Sequence, residues 1–370
     1  MGHNMNPTYG SLFSGVGGFD MGFDQAGFDC QWQVEWDAQC QQTLNYHWPD
    51  VPKYGNVQDV KGDEITPVDV IIYGSPCQDL SAAGKRAGIG GEKSSMFFES
   101  VRIFEEMRDA TGGTFPRIVV WENVAGALTS NKGADFHAVL RTLDDAGAVS
   151  QWWSVLDAQF FGVPQRRRRV FLVSVFDTGI AESIGNGQIL AVGESLRRNT
   201  PKSRQKKQEL TLIPEDGAGE DGGTPQAIIF SHTQGLDAQP SRVASPTLRS
   251  NGSGMAIAYN FDEYNFTGGE EVHHSLRAGT RQSTGVVSET VIRRLSPMEC
   301  ERLMGWPDNH TLYRADGKKN PDSVRYKMCG NGVATPVARW VGEQIRPHLH
   351  DSAPVSINLN EKERNAHSDL

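Results

Sequence analysis

A cysteine stands just past a run of β-branched residues, where a nucleophile could reach a ligand. The run at 70–72 reads as a buried strand, and the loop-forming stretch YGSPCQDLSAAGKRAG follows at 73–88. Cys77 therefore lies at the mouth of the strand, behind the rigid Pro76 and before small polar residues. A structural cysteine normally sits inside an apolar run, whereas a reactive one must form an accessible thiolate. The position predicts a nucleophile, although by itself it also suits an ordinary loop cysteine.

Two other stretches place charged groups at strand termini. WENV at 121–124 puts the carboxylate of Glu122 at the end of a predicted strand, and QRRRR at 165–169 puts arginines at the edge of a later one. Open α/β sheets bind ligands at the carboxyl ends of their strands, and both Cys77 and Glu122 follow strands there. Taken singly, each stretch is equally well an exposed acid or a solvated basic segment.

A glycine-rich turn near the start suggests a cofactor site. In LFSGVGGFDMG at 12–22, Gly15, Gly17 and Gly18 would let backbone amides approach a ligand closely. A dinucleotide fingerprint would need glycine at position 20, which is Asp20. Glu35 ends the second predicted strand, where doubly wound folds place an acid on a ribose diol. The combination predicts an adenosine-containing cofactor, and the alternative is an ordinary glycine turn.

Length, net charge and cysteine content limit the class of protein. The chain has 370 residues, which is enough for one large domain or two, and a net charge of −9. Its five cysteines are odd in number and lack CxxC spacing, which favours reduced thiols in a cytoplasm over disulfides or zinc. No apolar run approaches the ~18 residues of a membrane span, and no secretory signal is visible at the start. The negative net charge argues only weakly against nucleic-acid binding, because it hides local basic stretches at 165–169 and 197–207.

Strand-like and helix-like segments alternate over the first 180 residues, with a helix predicted from 37 to 47. This alternation predicts an α/β fold with a doubly wound, mostly parallel sheet. Residues 177–290 are rich in Gly, Ser, Thr, Pro and Gln, with short strand-like runs AIIF and MAIAY, and so predict a smaller β-rich domain. Near the end, Ser296 and Glu299 predict a capping box, and Thr335 is expected to cap a final helix.

Taken in order, these stretches resemble the 5-cytosine DNA methyltransferases of bacteria and their phages, across most of residues 9–346. The eight segments that carry the resemblance are the glycine turn with Phe13, VEWD at 34–37, GNV at 55–57, GSPCQDLS at 74–81, WENV at 121–124, VPQRRRRV at 163–170, RRLSPMECERLMGWP at 293–307 and GNGV at 330–333. The resemblance implies a Rossmann-like methyltransferase domain at 7–180 plus 328–350, a target-recognition domain at 181–327 and a polar tail at 351–370.

The cofactor implied by the resemblance is S-adenosyl-L-methionine. Phe13 would stack on its adenine, Glu35 would take the ribose hydroxyls and Trp36 would lie beside the adenine. The further cofactor contacts that it implies are Ser14, Gly15, Val16, Gly17, Asn56, Val57, Pro76, Asn331, Gly332 and Val333.

Three residues depart from the family's usual pattern. Asn56 and Ser11 stand where Asp is common, and Gly332 stands where Ser or Ala is usual. An Asn carbonyl can still accept from an adenine amino group, with Asp59 as a fallback partner. Gly332 loosens the cofactor assignment at that position.

The resemblance also assigns the catalytic groups. The Cys77 thiolate would add to carbon 6 of cytosine, so that carbon 5 can attack an electrophilic methyl group. Glu122 would bond ring nitrogen 3 and the amino group, and Arg169 the carbonyl oxygen. Arg167 and Arg169 would lower the pKa of the cysteine. Pro76, Gln78 and Asn123 complete the catalytic set.

The expected partner is double-stranded DNA, with no membrane and no metal. A stacked cytosine cannot reach such a site, so the base must flip out, and the glycine-rich loop at 79–95 could close behind it. Ser81, Lys85 and Gln165 are predicted DNA contacts. A weak internal repeat places Arg249 and Arg277 at equivalent positions as candidate guanine readers. We expect a cytoplasmic monomer in a prokaryote or a phage-infected cell, in a restriction-modification or phage setting, with an undetermined recognition sequence.

Three other functions fit parts of the pattern. An NAD-dependent oxidoreductase leaves Pro-Cys, Glu-Asn-Val and the arginine run unexplained. The tRNA-methylating branch of the family typically carries a later Cys-Phe-Thr signature, and the chain has no such tripeptide. A catalytically dead DNA-binding relative would be expected to lack a catalytic residue, and every catalytic position is intact.

Overall fold

The computed structural model describes residues 6–75, 96–185, 187, 189–191 and 295–349, together with the backbone of five strands between 227 and 294. Pro76, Cys77, Gln78, Ser81, Lys85, Arg249 and Arg277 lie outside the described residues, as does the tail at 351–370.

A seven-stranded sheet forms the centre of the fold. Its strands are β1 (Thr8–Leu12), β2 (Asp29–Val34), β3 (Lys53–Tyr54), β4 (Val70–Tyr73), β5 (Ile118–Val124), β6 (Ser150–Asp157) and β7 (Arg168–Val175). They lie in the order β3-β2-β1-β4-β5-β7-β6, with β1 to β5 parallel and β7 antiparallel to both of its neighbours. The predicted α/β fold with a mostly parallel sheet is confirmed.

Helices cover both faces of the sheet. They are α1 (Gly18–Gln25), α2 (Ala38–His47), α3 (Met96–Ala110), α4 (Ala134–Asp145), α5 (Thr178–Ile184), α6 (Pro297–Leu303), α7 (Asp322–Asn331) and α8 (Thr335–Ile345). Along β4, Val70 and Ile72 belong to one apolar core, whereas Ile71 and Tyr73 belong to the other. All four are fully buried, which explains why this strand reads as a continuous apolar run.

The segment after residue 294 joins the core of the sheet domain. Leu295, Leu303 and Trp306 share a core cluster with α1 and α8. Helix α8 lies against α1, where a Cβ built on Gly22 would stand 2.5 Å from the Cβ of Ala338. Residues 295–327 therefore pack with the sheet domain. The division of the whole chain into two domains stays a prediction.

Local capping agrees with the sequence at one helix and differs at another. Helix α6 has the predicted capping box, in which the Ser296 and Glu299 side chains each bond the other's backbone N–H. The N-cap position of helix α8 is Ala334, with no side-chain cap, so the expected Thr335 cap is wrong. The Thr335 hydroxyl donates instead to the carbonyl of Gly18, 2.8 Å away, and ties α8 to the start of α1.

The strands of the intermediate region are β8 (Ala227–Ser231), β9 (Pro240–Ser241), β10 (Met255–Tyr259), β11 (Gly285–Ser288) and β12 (Val291–Arg294). Strand β8 pairs antiparallel with β9 and β10, and β11 pairs antiparallel with β12. The runs AIIF and MAIAY thus lie in strands. A separate β-rich recognition domain stays a prediction.

Candidate active site

The carboxyl ends of β4 and β5 are joined by two side chains from WENV. The indole Nε1 of Trp121 donates to the Ser75 hydroxyl over 3.0 Å, and the amide of Asn123 donates to the Ser75 carbonyl over 3.1 Å. Both bonds are buried. Because Cys77 is two residues beyond Ser75 in the sequence, these bonds fix the residue from which the predicted nucleophilic loop departs. The Asn123 amide therefore holds Ser75, the last described residue before position 76.

Glu122 and Arg169 form an ion pair between neighbouring strands. The register places Arg169 of β7 opposite Val124 of β5, and Arg169 Nε lies 3.0 Å from Glu122 Oε1. Both side chains are nearly buried, and a Cβ on Gly74 would stand 3.4 Å from Glu122 Oε2. The carboxylate is thus held against the end of β4, as the sequence predicts.

Arg167 is buried between this ion pair and the late glycine segment. Its Nη2 donates to the carbonyls of Gly330 and Gly332, and within the described part of the chain its Nε and Nη1 have no partner. Burial, and then the charge of Arg169, hold the pKa of this guanidinium well below its usual range. The side-chain amide of Gln165 is also buried, and neither of its polar atoms is bonded to a described residue.

A small cavity opens where these groups meet. It is lined by Glu122, Leu156, Arg167, Arg169, Phe171, Val333, Ala334 and Val337. Its lining combines a carboxylate and two guanidinium groups with apolar side chains.

The glycine turn forms the second part of the site. Phe13 adopts φ of 56°, a conformation that is uncommon outside glycine, and Gly15 and Gly17 have φ of 58° and 81°. A Cβ at Gly15 would touch nothing within 4 Å, so the backbone there is open to a ligand. Ser14 is buried and its hydroxyl donates to Ser11 Oγ, 2.9 Å away. Val16 is also buried, as part of the core beneath the turn.

Glu35 is bound to backbone on both carboxylate oxygens. Oε2 accepts from Gly15 N–H and Oε1 from Asp37 N–H, each over 2.8 Å. Burial raises the pKa of Glu35, and the two backbone N–H groups oppose that rise. Trp36 beside it is 76% exposed.

The GNV segment contributes one exposed and one buried residue. The side-chain carbonyl of Asn56 accepts from Gln58 N–H over 3.2 Å, at the start of a short 3-10 helix. Its amide nitrogen remains near the surface. The side chain of Val57 is packed in the core, so a ligand contact there would use its backbone.

Gly332 and Val333 approach the glycine turn closely. Asn331 ends α7 and is exposed, whereas a Cβ on Gly18 would lie 2.5 Å from the Val333 carbonyl oxygen. The structure therefore brings the early and late cofactor candidates together.

Two residues at this junction are not predicted by the sequence patterns. Trp306 Nε1 donates to the Val333 carbonyl over 3.1 Å, and His310 Nε2 lies 2.7 Å from the Val16 carbonyl. Both side chains are buried. The GWP stretch is a visible signal at Trp306, but nothing local marks His310, whose partner is 294 residues away.

The four described cysteines lack the lowered thiol pKa that a nucleophile requires. Burial raises the pKa of Cys30, Cys40, Cys300 and Cys329. The described part of the chain also holds no cluster of His, Cys, Asp or Glu suited to a metal ion. None of its helices is long and apolar enough to cross a membrane.

Comparison with known proteins identifies the family of this chain. Residues 8–347 match the C-5 cytosine-specific DNA methylase family. A DNA N-6-adenine-methyltransferase of Escherichia phage P1 is 26% identical over 91% of this chain, which spans 61% of that protein. Type II methyltransferase M.HpaII of Haemophilus parainfluenzae is 27% identical, with 92% of this chain and 90% of the relative covered.

Solved structures share the fold. A DNA modification methyltransferase encoded in an Escherichia coli prophage matches with a TM-score of 0.55 and 17% identity, over 94% of this chain and 100% of that one. The Dnmt2 methyltransferase of S. pombe matches with a TM-score of 0.56 and 13% identity, over 92% and 99% of the two chains.

Proposed function

Because this chain belongs to the C-5 cytosine-specific DNA methylase family and is therefore a DNA cytosine-5 methyltransferase, we propose that it flips a cytosine out of double-stranded DNA and methylates it through a covalent adduct with Cys77. The methyl donor in this proposal is S-adenosyl-L-methionine. The observation that carries the assignment is the buried Glu122–Arg169 pair at the strand ends beside Ser75.

The pair suits the edge of a cytosine ring. A carboxylate accepts from the amino group and, when protonated, donates to ring nitrogen 3, while a guanidinium donates to the carbonyl oxygen. Since Arg169 already contacts Glu122, the two groups are held side by side in the order that the ring edge needs. Adding the Cys77 sulfur to carbon 6 pushes electrons toward nitrogen 3, and the Glu122 carboxyl group would donate its proton to that nitrogen as the adduct forms.

Turnover then needs three further changes on the base. Carbon 5 forms a bond to the methyl carbon as the sulfur–methyl bond of the donor breaks. A water molecule would then accept the proton from carbon 5, and the Cys77–carbon 6 bond would break to release the thiolate and restore the aromatic ring. The bound cofactor supplies only the electrophilic methyl group. The chain's part is to supply the thiolate and to hold the ring edge.

The residues of the glycine turn fit S-adenosyl-L-methionine. Glu35 would accept from the ribose hydroxyls, while its bonds to the Gly15 and Asp37 backbone hold it in place. Phe13, Trp36 and Asn56 are the proposed adenine contacts. Ser14, Gly15, Val16, Gly17 and Val57 would surround the ligand by backbone, with Asn331, Gly332 and Val333 at the methionine end.

The choice of Cys77 as nucleophile is supported by the other cysteines. All four are at least partly buried, with raised pKa values, so each is mostly a thiol at neutral pH. Pro76 and Gln78 flank Cys77, the fifth cysteine of the chain. We further propose that Arg249 and Arg277 read guanines, that Ser81, Lys85 and Gln165 contact DNA, and that the protein acts as a cytoplasmic monomer.

The test is to incubate the purified protein with tritiated S-adenosyl-L-methionine and duplex DNA, and separately with tRNA. Nucleosides from the labelled polymer are then identified by mass spectrometry. The proposal expects label in DNA as 5-methylcytosine. Label in N6-methyladenine, as the name of the phage P1 relative suggests for that protein, would contradict it, and so would label in tRNA alone. Bisulfite sequencing of the product gives the recognition site.

A further inference from the structure

A buried tryptophan lies between the two backbone segments that form the cofactor site. A Cβ built on Gly332 would lie 2.4 Å from Cζ2 of Trp306, and a Cβ built on Gly18 would lie 2.8 Å from the same atom. Real Cβ atoms do not approach other atoms so closely. Only glycine at both positions leaves room for this indole.

Trp306 and His310 also bond the two segments. The indole N–H donates to the Val333 carbonyl on the late segment. His310 Nε2 donates to the Val16 carbonyl on the early turn, and its ring lies 5.5 Å from that of Trp306. The two side chains are 4% and 2% exposed; the His310 bond is buried, and the Trp306 bond is partly buried. Removing one partner of a buried hydrogen bond costs more free energy than removing one partner of an exposed bond.

His310 is itself held by a second histidine. The ring of His47 stacks on it with centroids 4.1 Å apart, and His47 Nε2 donates to the His310 carbonyl. The buried His310 ring is neutral, because burial lowers its pKa. A neutral imidazole that donates through Nε2 has one fixed tautomer, which orients the ring toward the Val16 carbonyl.

We propose that Trp306 and His310 are positioning residues for S-adenosyl-L-methionine, and that Trp306 and Gly332 are a matched pair in which the missing side chain at 332 admits the indole. This inference rests on the proposed function. It also explains why Gly332 stands where the family pattern usually has Ser or Ala. The indole of Trp306 occupies the space that such a side chain would fill.

The first test is a double-mutant cycle on the full chain. Isothermal titration calorimetry measures the Kd for S-adenosyl-L-methionine, and thermal melting without ligand reports folding. Gly332→Ala should weaken binding about tenfold, because the new methyl group displaces the indole. Trp306→Phe should weaken binding about threefold through the lost N–H bond. The double variant should bind about as well as Trp306→Phe alone, since the shorter ring leaves room for the methyl group.

A control variant and two variants of His310 separate positioning of the cofactor from general destabilisation of the fold. Gly126→Ala adds a methyl group that meets nothing within 4 Å, and it should leave the Kd unchanged. His310→Leu removes the donor to Val16 and should weaken binding several-fold. His310→Gln keeps a donor and should restore most of the affinity. This pair serves if Gly332→Ala does not fold.

The outcomes distinguish the two proposals. Wild-type protein that binds no S-adenosyl-L-methionine would overturn the proposed function. If the wild type binds S-adenosyl-L-methionine but the affinity losses of Gly332→Ala and Trp306→Phe multiply in the double variant, the matched pair is overturned. Equal affinity in His310→Leu and wild type would overturn the positioning role of His310.

Discussion

The two ends of the site are prepared in different ways. At the proposed cofactor end, the two oxygens of Glu35 are bound by the backbone N–H groups of Gly15, 20 residues away, and of Asp37, two residues away. At the proposed base end, Arg167 and Gln165 keep buried polar atoms that are bonded to no described residue. The carboxylate at the first end is thus held by the chain itself, whereas the polar groups at the second end are unsatisfied within the described residues.

This difference leads to a kinetic expectation. Changes at the base end should lower the rate of the chemical step, because its groups act on charge that develops during reaction. Changes at the cofactor end should weaken binding of S-adenosyl-L-methionine and leave the rate at saturation nearly intact. The following variants test that division, beginning with the largest expected effect.

Cys77→Ser should abolish methylation while the protein still binds DNA and S-adenosyl-L-methionine. A hydroxyl is far less acidic than a thiol and gives no useful nucleophile here. Duplex DNA carrying 5-fluorocytosine should trap the wild type covalently, because fluorine blocks the elimination that releases the sulfur. Peptide mapping should find the adduct at Cys77. An adduct at Cys30 or Cys329, or normal turnover by the serine variant, would refute the assignment.

Glu122→Gln should lower the rate at saturation by about 100-fold or more, with the fold intact. The amide keeps the shape of the side chain but cannot carry the charge that pairs with Arg169. Single-turnover methylation at saturating cofactor measures this step. Glu343→Gln is a matched control, because its ion pair with Arg339 is exposed and should contribute little. An unchanged rate would remove Glu122 from the chemistry.

Glu35→Gln should weaken binding of S-adenosyl-L-methionine about tenfold and leave the saturated rate within about twofold of wild type. The amide NH₂ would face a backbone N–H of Gly15 or Asp37, so one buried donor loses its acceptor. Calorimetry gives the Kd and saturated turnover gives the rate. A large fall in the saturated rate with normal binding would show that the two ends are not separable in this way.

How far the sequence predicts this site depends on the distance between partners. Glu122 and Arg169 are predictable because each lies at a strand end and in a motif that resembles the family. The Ser296–Glu299 capping box is predictable because its partners are three residues apart. His310 is not, since its bond to Val16 exists only after the chain has folded.

Strand β6 shows a second limit. Its sequence SQWWSVLD lacks a clear alternation of apolar and polar residues, and it lies at the edge of the sheet, where five of its eight side chains are partly buried. Periodicity predicts strands best where one face, or both, is fully buried. Trp153 is 49% exposed in this strand, so its apolar character does not indicate the buried face.

The last prediction concerns the support beneath the cofactor end. Asp20 is fully buried below the glycine turn, where Oδ1 accepts from Gln33 Nε2 over 2.8 Å and Oδ2 accepts from the Ser11 hydroxyl over 3.2 Å. Burial raises the pKa of Asp20 from 3.8 to about 7, while the Gln33 bond opposes that rise. In the unfolded chain the carboxyl titrates near its usual value of about 3.9.

The folded state therefore binds the Asp20 proton over a pH range in which the unfolded state has released it. The stability that this proton contributes is fully present below about pH 4 and is lost as pH rises through about 7. Asp20→Asn removes the titration. We expect the melting temperature of the variant, relative to wild type, to rise between pH 5 and pH 8. Exposed Asp308→Asn is a control for the general effect of removing an acid. A constant difference across that range would show that Asp20 titrates normally. The support beneath the glycine turn would then be a charged carboxylate.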